Sequence, residues 1–134
     1  MVAGAAETLA HRRGSIGQER EKDKGGAMAF YELRQYEIRP GKMDEWLKLM
    51  EDEIIPFQTA EGMVIAGSFR GEGDDSVYIW IRRFESEAER ERLYKAVYES
   101  DHWKQNLTDR VGQCINRETI KVTRISPTSR SILQ

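Results

Sequence analysis

Two stretches of the chain, FYELRQYEIR at 30–39 and DSVYIWIRRF at 75–84, alternate between side-chain types with a period of two, and each predicts a β-strand. Proline and glycine at Pro40-Gly41 close the first strand. Met43, Trp46, Leu47, Met50 and Ile54 then recur at helical spacing, with Asp44, Glu45, Lys48, Glu51 and Asp52 on the other side. This predicts an amphipathic helix that Pro56 should end or kink, with Gly62 marking the turn out. The run MVIAGSFR at 63–70 reads as a strand interrupted by Gly67, joined by the hairpin loop GEGDD to the strand Ser76–Phe84.

Ser86 followed three residues later by Glu89 forms a capping box, so a helix should begin near Glu87, with Leu93, Ala96 and Val97 as its seam and Tyr94 and Tyr98 alongside. The pattern pauses at Glu99-Ser100-Asp101. It resumes with Trp103, Leu107, Val111 and Ile115 at four-residue steps, predicting a shorter helix capped by Ser100 or Asp101. A last strand, Arg117 to Ile125, ends at Pro127. The order β-α-β-β-α-β predicts an α+β, ferredoxin-like subunit: a four-stranded antiparallel sheet with its helices on one face.

Alternation also divides the sheet into two faces. Val77, Ile79 and Ile81 share one, which calls for a helix layer. Glu32, Arg34 and Tyr36 on the first strand and Tyr78, Trp80 and Arg82 on the later one mix charge with aromatic surface. A solvated face would not gather Trp and Tyr, and a dry core would not take Glu and Arg, so this set is assigned to the helix-free side. That side needs a cover. A second copy of the chain supplies it through an isologous homodimer in which two sheets face each other, and a cavity between them would be lined by these six residues.

Composition narrows the function classes. With 134 residues, a third of them charged, and a net charge of −2, the chain reads as one soluble domain at 28–127, and it lacks the basic footprint of a nucleic-acid binder. No stretch approaches the roughly 18 apolar residues of a membrane span, and the start lacks the apolar core of a secretory signal. A cytoplasmic location follows as the expectation. Residues 1–27 are rich in Gly, Ala and charge without a sustained period and read as a disordered extension; Met28 stands where a start would fit, and Glu7, Glu19, Glu21 and Asp23 argue against a transit peptide. Residues 128–134 form a tail. Cys114 has no cysteine partner and is expected as a small buried hydrophobe, not a zinc ligand.

The strings YELRQYEIRPGK and IAGSFRGEGDDSVYIWIRRFES, the helix with Trp46 and Leu47, and ERLY followed by Trp103 resemble the NIPSNAP family, a branch of the dimeric α/β-barrel superfamily. The resemblance spans most of 29–125. It implies a ferredoxin-like subunit that dimerises by sheet packing, in a family without a settled biochemical activity. Some eukaryotic relatives are associated with mitochondria and vesicle traffic. Related barrels include cofactor-independent monooxygenases of aromatic polyketides, haem-degrading enzymes, haem-binding dismutases and muconolactone-type isomerases, among which fold does not decide.

The candidate chemistry has two readings. Arg34 or Arg82 could hold a carboxylate or enolate oxygen while Glu32 moves a proton; as architecture, the same three residues satisfy one another as an ion-pair network, and this reading is favoured. Tyr36, Tyr78 and Trp80 could stack a flat ligand or pack a dimer interface. His102 is a candidate haem ligand, but Asp101 and Lys104 beside it favour a solvated position, and Trp103 should anchor its helix. The chain carries no GxGxxG, P-loop or GxSxG motif, and VYIWIRRF does not match the RNA-stacking strand of the RNA-recognition fold. The expectation is a binding protein for a small molecule or a protein partner, without a cofactor. The alternative is a cofactor-independent monooxygenase or isomerase acting on a small aromatic or enolisable substrate, with a haem-dependent variant third.

Overall fold

The structure, a computed structural model, describes residues 28–134; residues 1–27, expected as a disordered extension, lie outside them. Four strands, β1 (Phe30–Ile38), β2 (Val64–Arg70), β3 (Val77–Phe84) and β4 (Ile115–Ile125), form one antiparallel sheet in the order β2-β3-β1-β4. This is the predicted ferredoxin-like arrangement, with the first and third strands central. Their register sets Glu32 opposite Arg82, Arg34 opposite Trp80 and Tyr36 opposite Tyr78.

The helical stretches follow the predicted stripes. The first comprises α1 (Met43–Leu49), a π-helical turn (Met50–Ile54) and α2 (Ile55–Glu61). Pro56 therefore does not end the helix. The π turn, closed by Ile55 N–H donating to the Met50 carbonyl, puts Pro56 in the first turn of α2, where a missing N–H leaves no bond unmade. Gly62 caps the stretch with φ +113°, and Met63 N–H returns to the Gln58 carbonyl at 3.0 Å.

The second stretch, α3 (Glu87–Tyr98), begins at the predicted cap: Ser86 Oγ accepts from Glu89 N–H at 3.0 Å, and Glu89 Oε1 accepts from Glu85 N–H at 2.9 Å. Ser100 caps the third stretch, its Oγ accepting from Trp103 N–H at 3.1 Å. A π-helical turn (Trp103–Leu107) leads into α4 (Thr108–Cys114), and its i→i+5 bonding accounts for a seam that steps by four. Ile115, read as the last helical position of that seam, is already extended (φ −121°, ψ 158°) and opens β4 two residues before the predicted Arg117.

The faces of the sheet are reversed from the alternation reading. Glu32, Arg34, Tyr36, Tyr78, Trp80 and Arg82 lie beneath the helices, none more than 5% exposed. Trp46 of α1 packs edge-on against Tyr36 and Tyr78, with ring centroids 5.7 and 5.6 Å apart, and Tyr94 of α3 reaches Glu32, Arg34 and Arg82. A core admits these charges because each meets a hydrogen-bonding partner there, while the rings beside them supply the buried apolar area. Val77, Ile79 and Ile81 are instead half-buried on the helix-free side, where they share a face with Leu33, Val64 and Phe69. Val64 and Phe69 are 50% and 54% exposed. At one end of this face the tail folds back: the Gln134 main-chain oxygen accepts from Tyr31 Oη at 2.9 Å and from Arg83 Nε at 2.7 Å.

Candidate functional site

A buried ionic network occupies the space between the centre of the sheet and α3. Glu32 accepts from Arg82 Nη2 at 3.1 Å, from Arg90 Nε at 2.7 Å and from the Tyr94 hydroxyl. Arg82 is spread across the helices as well, donating through Nη1 to Gln58 Oε1 and Tyr98 Oη, both at 2.9 Å, and through Nη2 to Tyr94 Oη at 2.6 Å. Arg34 donates from Nε to Tyr36 Oη at 2.9 Å. Guanidinium planes stack on rings here, Arg82 over Trp80 at 4.7 Å and Arg90 over Tyr94 at 3.7 Å.

This environment sets the protonation states. Burial opposes the charge of Arg82, but Tyr94, Tyr98 and Glu32 outweigh it, so its pKa lies above the ordinary arginine value and the group stays a cation. Burial pushes the Tyr94 hydroxyl well above the usual tyrosine value, with Arg82 only partly offsetting it. Burial likewise raises Tyr78, whose hydroxyl is 2.6 Å from Ser68 Oγ.

Beside the network lies a small cavity of about 20 Å³ between sheet and helices. Its walls include Tyr36, Trp46, Gln58, Trp80, Tyr98 and Trp103. The Nε1–H groups of Trp46 and Trp80 are both buried without a hydrogen-bond partner among the described residues. An indole N–H can only donate, so each wants an acceptor that the described residues do not provide.

The structure thus gathers all six candidates read from the strands, but within one subunit under its own helices and not between two sheets. Tyr36 and Trp80 line the pocket. Glu32, Arg34 and Arg82 stand among the buried charges, and Tyr78 packs against Trp46 and Ser68. Arg90, Tyr94 and Tyr98 complete the network from one stripe of α3; their four-residue spacing was the available signal, obscured by the placement of the charged strand face on the opposite side. Gln58, buried within α2, carries no comparable sequence signal.

His102 is exposed, accompanied by Asn106 Nδ2 at 3.0 Å from its Nδ1 and by the Phe57 ring edge-on at 4.8 Å. It is not among the pocket's lining residues, and the pocket is too small for a macrocycle, so the residues here do not fit a haem. Among the described residues no group of three His, Cys, Asp or Glu is placed to hold a metal ion. Cys114 is buried as expected, its thiol pushed up to about 11 by burial and by nearby Glu45. No helix of the described residues is long and apolar enough to cross a membrane.

The NIPSNAP family pattern matches residues 31–130. The chain is similar to the solved structure of a NIPSNAP family protein from Agrobacterium tumefaciens, with 28% identity, a TM-score of 0.70, and 81% of this chain and 93% of that one covered. It is similar in fold to a second NIPSNAP family protein of unknown function from the same organism, at 23% identity and a TM-score of 0.73, covering 81% of this chain and 96% of that one. A candidate antibiotic biosynthesis monooxygenase from Nitrosomonas europaea shares the fold at a TM-score of 0.61 with 9% identity, over 78% of this chain and 95% of that one. No curated protein matches.

Proposed function

The chain belongs to the NIPSNAP family, and from that premise we propose that it is a homodimeric, cytoplasmic small-molecule-binding protein whose ligand sits in the pocket beneath the helices of each subunit. The observation that carries this reading is the pocket itself: an aromatic-walled space holding buried, unsatisfied donors next to fixed arginine side chains. Such donors are the groups that orient a ligand, and the acceptors among the described residues leave them unfilled.

The dimer part of the proposal rests on the helix-free face. Leu33, Val77, Ile79 and Ile81 with the exposed Val64 and Phe69 make an apolar sheet surface, which a second copy of the same sheet would cover across a two-fold axis. Light scattering should report twice the chain mass at micromolar concentration. A stable monomer there removes the dimer from the proposal without touching the pocket.

A second reading, a cofactor-independent monooxygenase or isomerase for a small aromatic or enolisable substrate, draws on Arg34 and Arg82 behind the pocket wall. In it the arginines act through Tyr36 and Tyr98, holding an oxyanion that develops during reaction, and Glu32 connects to the site through Tyr94. The two readings part on turnover. Saturable binding of small planar compounds with no oxygen uptake and no solvent exchange of ligand protons supports the binding protein, and ligand-dependent oxygen uptake or proton exchange supports the enzyme. Absence of any binding across a chemically varied panel overturns both.

A further inference from the structure

Hydrogen bonding around the cavity is unbalanced between donors and acceptors. None of the residues lining it is an Asp, Glu, Lys, Arg or His, so its polar groups are neutral ones. The oxygens among them are already engaged: Gln58 Oε1 and Tyr98 Oη accept from Arg82, both at 2.9 Å, and Tyr36 Oη accepts from Arg34 Nε at 2.9 Å. The hydrogens are a different matter. Trp46 and Trp80, 1% and 2% exposed, bury indole N–H groups that have no acceptor among the described residues. The Tyr36 hydroxyl, its oxygen turned to Arg34, likewise has no acceptor there for its own proton. These three residues adjoin, the Tyr36 ring centroid lying 5.7 Å from that of Trp46 and 6.3 Å from that of Trp80.

Such a wall selects by hydrogen-bond type. An acceptor oxygen satisfies a donor that is otherwise desolvated and unpaired, whereas an incoming O–H or N–H would face further donors. The rest of the wall, with Met50, Ile54 and Trp103, suits an apolar ring behind that oxygen. Size fixes which end enters. About 20 Å³ is room for one water-sized group, so a single bare oxygen fits the cavity as it stands. The atoms attached to it need a wall that yields, and Met50, unbranched and flexible, is the member able to do so.

Resting on the pocket reading above, we propose that the cavity is an acceptor-selective subsite. It takes the bare oxygen of a carbonyl or carboxylate group on a compact aromatic compound, with Trp46 Nε1, Trp80 Nε1 and the Tyr36 hydroxyl as its donors. It rejects a buried end that is apolar or is itself a donor.

The test uses the ¹⁵N-labelled full chain, whose tryptophans are Trp46, Trp80 and Trp103, and follows their indole ¹H–¹⁵N signals. Four probes of similar size are titrated at constant ionic strength: acetophenone and benzoate, which carry an acceptor oxygen, ethylbenzene, which carries none, and benzylammonium, which carries donors. Saturable downfield movement of the Trp46 and Trp80 signals by acetophenone and benzoate, with the other two at least tenfold weaker, supports the proposal. Ethylbenzene or benzylammonium binding as tightly as acetophenone overturns the acceptor selection while leaving the pocket reading standing. No movement of any indole signal with any of the four overturns both. Trp80→Phe keeps an aromatic ring and deletes one donor, so it should cut the preference for acetophenone over ethylbenzene at least threefold, a ratio that lost packing alone would not change. An unchanged ratio overturns the role of that indole, and Trp46→Phe reads the same ratio if Trp80→Phe does not fold.

Discussion

Replacing Glu32 by Gln changes one oxygen to an amide and leaves the side chain's size almost untouched, yet it should be among the most damaging single substitutions in this protein. Glu32 is fully buried, and it is the acceptor shared by Arg82, Arg90 and Tyr94, themselves no more than 4% exposed. Removing its charge leaves two guanidiniums in the interior without it, and the new amide N–H₂ turns donors toward donors. Breaking a buried pair in this way costs about 3–5 kcal/mol. For a domain of this size that lowers the midpoint of thermal unfolding by on the order of 15–30 °C. The assay is urea unfolding followed by tryptophan fluorescence, with a thermal melt by circular dichroism. A reference variant, Asp52→Asn, removes one partner of the exposed pair Lys48–Asp52, whose side chains are 80% and 57% exposed, and should cost only about 0–1 kcal/mol. If Glu32→Gln costs no more than Asp52→Asn, the network is not the buried ionic core described here.

Other outcomes follow from single contacts. Gly62→Ala should destabilise by about 1–2 kcal/mol in the same unfolding assay, because φ is +113° and an added Cβ would sit 3.3 Å from Leu93 Cδ2. Stability should fall as pH rises above about 10, since Tyr78 and Tyr94 keep their protons in the folded state while the unfolded chain releases them. Tyr94→Phe should flatten that decline, measured by urea midpoints across the alkaline range. Ile79→Lys, on the helix-free face, should yield a folded monomer by light scattering with an unchanged circular-dichroism spectrum. His102→Ala should leave stability within about 0.5 kcal/mol and ligand binding unaffected, as its side chain is exposed and away from the pocket.

The strands, caps and helical stripes were legible because each depends on nearest neighbours along the chain. Ser86 with Glu89, Ser100 and Gly62 announce helix ends by local hydrogen bonding, and alternation fixes which residues of β1 and β3 share a face. Alternation does not say which face turns inward. That choice was made by the helices: Tyr94 and Tyr98 carry hydroxyls positioned to receive Arg82, and Gln58 supplies a further acceptor, so the charged face became the better core. Val77, Ile79 and Ile81, with no polar demand to meet, were left for the open side. The outcome for Pro56 has a similar origin, because a π-helical turn absorbs the missing N–H and no local propensity encodes it. The pocket's indole donors were hidden because Trp46 read as an apolar member of its helical stripe and Trp80 as a stacking surface, and neither reading says whether an indole N–H finds an acceptor.

The most direct test of where this protein binds is a crystal structure of the full chain grown with benzoate. The ligand should appear inside each subunit, between the sheet and the helices, against the pocket wall that includes Trp46 and Trp80. Benzoate found between the helix-free faces of two subunits, or a pocket that stays empty at saturating benzoate, would contradict the account.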